Sequence, residues 1–257
     1  MLCLMGQQHP GNSHGIHISE IKGKLLPLGI FRLQDGMAAD KNVSWTSSTE
    51  DIAGRYPVVA SVYANFYQKL DNPIYESYNL SDIAAYPKKQ QTQMKEMQDT
   101  FSRELNTLVK EEVLPRTWLE LKKEEAFAVK FGTLSHSSGK NGIWQLNQVY
   151  RINSDMDTMG EFTLDKQTGR LLNIHFFKDH TEVYGEEKRK ELAWNMIRYL
   201  GLDSIHDWTY TKYGYESYEA KVQVYCDVEK NGVTTNFSMG IAPLGQHTHN
   251  SLVSFLG

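Results

Sequence analysis

Tyr218-Glu-Ala-Lys-Val-Gln-Val-Tyr-Cys-Asp-Val-Glu-Lys-Asn231-Gly232-Val-Thr-Thr-Asn-Phe-Ser-Met-Gly-Ile241 is the stretch that decides the fold. Tyr218, Ala220, Val222, Val224, Cys226 and Val228 alternate with Glu219, Lys221, Gln223, Tyr225, Asp227 and Glu229, the two-residue period of a strand with one face in a core. Beyond Asn231-Gly232 the residues Val233, Thr235, Phe237, Met239 and Ile241 alternate again. Asn-Gly tolerates positive φ at both central positions of a two-residue turn, so the segment predicts a β-hairpin with Lys230 opposite Val233. Counting outward, Val228 meets Thr235, Cys226 meets Phe237, Val224 meets Met239 and Val222 meets Ile241, each pair on one face. Cys226 then lies in a core row, as a small buried hydrophobe rather than a reactive thiol. Asp227 and Glu229 share the opposite face of the strand, where solvation accounts for them.

Upstream, Glu186 to Leu200 reads as a helix burying Leu192, Ala193, Met196, Ile197 and Leu200. Gly201 stands where a C-cap glycine belongs, and Leu202 follows to pack back on the last turn. Before that helix the period is again two: Phe127, Val129 and Phe131, then Trp144, Leu146, Tyr150 and Ile152, then Phe162 and Leu164, then Leu172, Ile174 and Phe176. Their connections, such as Ser137 to Gly142 and Asp165-Lys-Gln-Thr-Gly169, are too short for parallel crossovers, which predicts a four-stranded antiparallel meander. A long helix precedes it, from near Pro87 to about Val113, with Met94, Met97, Phe101, Leu105, Leu108 and Val109 on its apolar face. A shorter helix, about 57–70, starts at Pro57, carries Val58, Val62, Phe66 and Leu70 on one stripe, and stops at Asp71-Asn72-Pro73. Residues 1 to about 55 read as loop-dominated, with one short extended piece around Leu25 to Leu33.

The fold class is therefore α+β: two helix-plus-antiparallel-sheet units, in the order helix, four-stranded meander, helix, hairpin, after a loop-rich N-terminal segment. The expected divisions are 1–85, 86–182 and 183–257. A net charge of -4, with no basic cluster beyond Lys188-Arg189-Lys190 after Glu186-Glu187, argues against a nucleic-acid surface. Two cysteines, Cys3 and Cys226, exclude a disulfide framework and a multi-cysteine zinc site, and leave one optional bridge open. No stretch approaches the roughly 20 apolar residues of a membrane span. Met1-Leu-Cys-Leu-Met5 has two readings: a frayed terminus, or the end of a signal or anchor helix whose remainder, a membrane tether, lies outside this chain.

The motifs that tempt are rejected on context. Gly11-Asn-Ser13-His-Gly15 has the nucleophile-elbow spacing, but no strand precedes it to hold the serine on a strand-to-helix turn. Asn153-Ser-Asp155-Met-Asp157 looks like part of a calcium loop, yet counting from Asp155 puts Lys166 where a bidentate Glu is needed. His247 and His249 would present two imidazoles on one side of an extended segment, with His14 and His17 as further ligands, but exposed histidines in a Gly/Ser/Asn-rich tail explain them better. Phosphate-cradling and dinucleotide fingerprints are missing, and no cofactor is implied. Asn42-Val-Ser44, Asn79-Leu-Ser81 and Asn236-Phe-Ser238 fit the glycosylation acceptor pattern, which matters only in a eukaryotic secretory protein. Trp208, Tyr210, Tyr213, Tyr215 and Tyr218 form an aromatic run denser than a core requires; either they pack cross-strand or they offer a platform for a protein, peptide or glycan.

Phe162-Thr-Leu-Asp-Lys-Gln-Thr-Gly-Arg-Leu-Leu-Asn-Ile174 resembles the closing hairpin of PepSY-type domains, in which a strand ends in Asp, a Thr-Gly turn follows and an apolar strand returns. The resemblance covers roughly residues 120–177, and the longer pattern is similar to uncharacterised cell-envelope proteins of Gram-positive bacteria. It implies a non-catalytic extracytoplasmic module that binds or restrains a partner. Two other expectations stand beside it: a hydrolase whose active site is scattered in sequence, and an intracellular partner-binding protein.

Overall fold

The computed structural model describes residues 54–70, 75–137, 142–153, 156–178, 183–231 and 234–246. Along the chain run α1 (Pro57–Leu70), β1 (Tyr75–Asn79), α2 (Lys88–Lys110), β2 (Thr133–Ser137), β3 (Ile143–Asn153), β4 (Met156–Asp165), β5 (Leu171–Lys178), α3 (Glu186–Tyr199), β6 (Thr209–Thr211), β7 (Gly214–Ser217), β8 (Val222–Asn231) and β9 (Thr234–Pro243). The nine strands form one antiparallel sheet, ordered β1-β2-β3-β4-β5-β9-β8-β7-β6. The α+β class holds, but the separate sheets of the two expected units do not. β5 pairs along β9, with Ile174 opposite Met239 and Phe176 opposite Phe237, so meander and hairpin share one sheet. Each half alone would leave an edge strand with unpaired backbone, and joining them removes two such edges.

The hairpin forms in a register two residues from the expected one. Lys230 faces Thr235, Val228 faces Phe237, Cys226 faces Met239 and Val224 faces Ile241. A two-residue shift keeps every side chain on its own face, so alternation could not distinguish the two registers. The pairing runs to Asn231 opposite Thr234, and the expected Asn231-Gly232 turn falls partly on Gly232 and Val233, which lie outside the described residues. This register also lines up Phe176, Phe237 and Val228 across three strands. β8 starts later than expected: Lys221 has φ +56 in the turn that precedes Val222.

Phe127 to Phe131, expected as the first meander strand, pairs with no strand. It runs extended beside α2, whose side chains take the place of a neighbouring strand. Asn106 accepts from the Phe127 N–H (2.9 Å) and donates to its carbonyl (2.8 Å), and the Val129 N–H donates to Ser102 Oγ (3.0 Å). Phe127 and Val129 are buried as their alternation predicts, but Phe131, the third residue of that row, is exposed, and the first meander strand is Thr133–Ser137. β1 was not anticipated, because Tyr-Glu-Ser-Tyr-Asn is too short to show a period.

α2 and α3 lie on one face of the sheet over Leu134, Leu146, Phe162, Ile174, Phe176, Phe237 and Met239, all fully buried. Trp118, in the 3-10 turn Arg116–Leu119, packs with tilted rings on Phe176 (5.7 Å) and Phe237 (5.0 Å). α3 ends as expected: Gly201 has φ +70, its N–H bonds to Arg198 O, and the Leu202 N–H reaches back to Ile197 O (3.0 Å) with Leu202 buried. The two helices are tied through Glu104 of α2, which accepts from Tyr199 Oη (2.7 Å), while that hydroxyl accepts from the Leu171 N–H (2.9 Å). Burial, with Glu104 second, pushes the Tyr199 hydroxyl well up, so it stays a neutral donor. α1 buries Val58, Val59, Val62 and Tyr63 and crosses the end of the sheet where β4 turns into β5 and β8 begins. There Asn65 Nδ2 donates to Asp165 Oδ1 (3.3 Å) and the Tyr63 hydroxyl donates to Lys221 O. Asp165 also organises the β4–β5 turn, accepting from the Thr168 N–H and hydroxyl (2.7 and 2.6 Å) ahead of Gly169 at φ +68. Among the described residues no helix is long and apolar enough to cross a membrane.

Candidate functional site

The five aromatics singled out in sequence all fall at one end of the sheet, on and around the β6–β7 hairpin, but they do not form a flat platform. Tyr210 and Tyr215 are cross-strand partners with edge-to-face rings 5.1 Å apart, and Trp194 of α3 joins Tyr215 at 5.4 Å. Trp208 is half-buried, its indole N–H donating to Leu202 O (3.0 Å). Tyr213 occupies the two-residue turn, with the Lys212 ammonium 5.0 Å from its ring centre, and Tyr218 stands apart at 52% exposure. His247 and His249, like His14, His17, Cys3 and the Gly11–Gly15 motif, lie outside the described residues. Cys226 is buried, as its place in the core row predicts, and burial pushes its thiol well up. Among the described residues no three His, Cys, Asp or Glu side chains gather as a metal site.

The other face of β8 is not the solvated surface expected of it. Asp227 is 3% exposed and Gln223 7% exposed, and Tyr225 is buried as well. Pairing extends this face into a polar row, Asn147, Glu161, His175, Ser238 and Asp227, one residue from each of β3, β4, β5, β9 and β8. In the next row the Tyr225 hydroxyl donates to Asn173 Oδ1 (2.8 Å) across β9, passing over Gly240. A Cβ at Gly240 would collide with Asn173 Oδ1, so glycine there is what lets the bridge form. Burial pushes His175 down to about 4, and its Nε2 is buried with no partner among the described residues. The imidazole is therefore neutral near pH 7. Sequence alternation placed these residues on one face but carried no sign that the face is buried.

Beside Tyr225 the same face sinks into a recess of about 50 Å³, lined by Thr211, Tyr213, Gly214, Glu216, Gln223 and Tyr225 among others. Gly214 lies directly opposite Tyr225, and a Cβ on it would run into Val224 O and Tyr225 Cα. Its missing side chain brings the two strands close beneath the recess. Gln223, in this lining, has its Nε2 buried with no hydrogen-bond partner among the described residues. On the opposite face of the hairpin, Tyr210 Oη and Arg189 Nε are also buried without partners among the described residues. Tyr213 and Tyr215 of the aromatic run line this recess, while Gly214 between them, with no side chain, is a cue that the sequence reading did not use.

A second titratable cluster sits at the far edge of the sheet. His136 of β2 lies between Tyr78, on which it stacks (5.8 Å), and the tilted ring of Trp144 (4.4 Å). Its Nε2 lies 3.3 Å from Glu76 Oε2, and Lys166 Nζ lies 3.3 Å from its Nδ1. The Tyr78 hydroxyl donates to Glu76, and this bond, followed by the charge of His136, holds the Glu76 carboxyl below the usual range. Burial and Glu76 push Tyr78 up to about 12, and burial lowers Lys166. Every polar group here closes on another, which is what a structural network looks like. No family model, curated protein or solved structure matches the chain.

Proposed function

We propose that this chain is a non-catalytic binding or regulatory protein acting outside the cytoplasm, and that it takes its partner at the β6–β7 end of the sheet. The observation that carries this reading is the concentration, at the β6–β7 end of the sheet, of buried polar atoms without a partner among the described residues: Gln223 Nε2 of β8, Tyr210 Oη of β6 and Arg189 Nε of α3. Each such atom costs about 1–3 kcal/mol in the free protein, a cost that matching groups of a partner recover on binding. The adjoining recess of about 50 Å³ is far below the roughly 300–1,000 Å³ of small-molecule sites, which favours a surface contact over enclosure of a substrate. The extracytoplasmic assignment rests on the resemblance of Phe162–Ile174 to PepSY-type hairpins.

A photo-crosslinking amino acid in place of Tyr218, in cells producing the protein, tests the reading against the same label at Ser77 on the opposite edge. The expected result is a discrete crosslinked partner from position 218 alone. Equal or absent crosslinking from both positions overturns it.

A hydrolase is the second reading, carried by His175 and Ser238 as direct cross-strand neighbours with Glu161 on the other side of the imidazole. An aryl fluorophosphonate that labels Ser238, and fails to label a His175→Gln variant, would favour it over the binding reading.

A further inference from the structure

We infer that the recess over Gly214 recognises one backbone amide of an extended peptide. The inference rests on the binding reading above and names the chemistry of its ligand. Gln223 is 7% exposed, lines the recess, and has Nε2 with no hydrogen-bond partner among the described residues. An amide nitrogen donates, so the group that satisfies it is an acceptor, such as a carbonyl oxygen. Glu216, directly opposite Gln223 on β7, lines the same recess and supplies a carboxylate that accepts an N–H. Donor and acceptor side by side match the C=O and N–H of a secondary amide. Tyr213 and Tyr225 complete the walls, giving flat apolar surface to a planar group. A volume of about 50 Å³ admits one such group and little more.

The source of that amide is argued from the adjoining edge. β6 is the last strand of the sheet, and its outer side has no backbone partner among the described residues. Its short run, Thr209–Thr211, offers main-chain groups to an added strand, the mode by which sheets take extended peptides. Thr211 belongs to both features, since it lines the recess and ends β6. Gln223 and Glu216 lie on β8 and β7, about 14 and 10 Å from a strand added outside β6, so the peptide must leave the edge and turn onto this face past Thr211 to set one unit over them.

The test uses the full chain, labelled with nitrogen-15, and three probes: N-acetyl-alanyl-alanine N-methylamide, its depsipeptide analogue with esters in place of the amides, and N-acetylglucosamine. The expected result is saturable shifts of the Gly214 amide and the Gln223 side-chain amide with the capped dipeptide, and at least a several-fold weaker response to the depsipeptide. Gln223→Leu should abolish the response while its melting temperature is unchanged or higher, which separates lost recognition from lost folding. Glu216→Gln, which keeps the size of the side chain, should weaken the dipeptide response. Equal response to dipeptide and depsipeptide, or a dipeptide response indifferent to Gln223→Leu, overturns the inference. Response to N-acetylglucosamine alone assigns the recess to a sugar acetamido group and overturns the peptide assignment. Silence of all three probes, with a partner still crosslinked from position 218, sinks the amide inference and leaves the binding reading standing; silence in both experiments sinks both.

Discussion

The two edge strands of the sheet are built from similar residues and resolved in opposite ways. At the β1 edge Glu76, Tyr78, His136 and Lys166 bond to one another, with His136 held between two aromatic rings. At the β6 edge an equally aromatic set surrounds Gln223 Nε2, Tyr210 Oη and Arg189 Nε, and none of these atoms finds a partner among the described residues. Unpaired buried polar atoms weaken a fold, so their presence at one edge and not the other, among the described residues, is the contrast on which the proposed binding role rests. The richer cluster of titratable groups is therefore the poorer candidate for function.

The largest effect in this comparison should come from Gly214→Ala. The added methyl meets Val224 O and Tyr225 Cα, so urea unfolding should show a loss of about 2–3 kcal/mol, as overpacking against backbone does. A neutral result would mean that the floor of the recess yields easily, and that its shape is not imposed by the strands. At the other edge, His136→Ala removes two ring contacts and the link between Glu76 and Lys166. A loss of about 2 kcal/mol is expected by the same measurement.

Acid should act between the edges, at His175. Its folded value is lowered to about 4 from an unfolded value near 6.5, so the unfolded chain binds the extra proton between those limits. Stability is then lost as pH falls from about 6.5 towards 4, by roughly 1 kcal/mol per pH unit from this group. Unfolding midpoints of His175→Gln should show a shallower pH slope than those of the parent chain. An identical slope would remove His175 from the account.

The smallest pair gives the sharpest contrast in sign. Tyr78→Phe takes away the donor to Glu76 and should cost about 1 kcal/mol, whereas Gln223→Leu removes an unpaired donor and should gain about 1 kcal/mol. Thermal melts of the two variants side by side check the distinction. Two losses of equal size would erase the difference between the edges.

Periodicity alone reached far along this chain. The limits of α1 at Pro57 and Leu70, the Gly201 cap with Leu202 behind it, the Asp165–Gly169 turn and the buried face of Val222 to Val228 all follow from residue type and spacing. These features are local, or depend only on which face a residue occupies. The aromatic run was legible too, though not its division among core wall, recess and exposed Tyr218.

What the chain's pattern left open was decided by partners distant in sequence. Phe127 to Phe131 alternates like a strand, yet Asn106 and Ser102 of a helix satisfy its backbone. Two hairpin registers kept the same faces, and the pairing of β5 with β9 accompanies the one adopted. The His136 cluster draws on residues from 76 to 166, so no window of sequence contains it, whereas the recess lining lies wholly within residues 211–225 and needed only the pairing of β6, β7 and β8 to assemble. Local chemistry sets the period and the caps, because these depend on backbone dihedrals within a few residues. The joining of two sheets into one, the burial of Asp227 and Gln223, and the unpaired atoms of one edge arise only when remote surfaces meet.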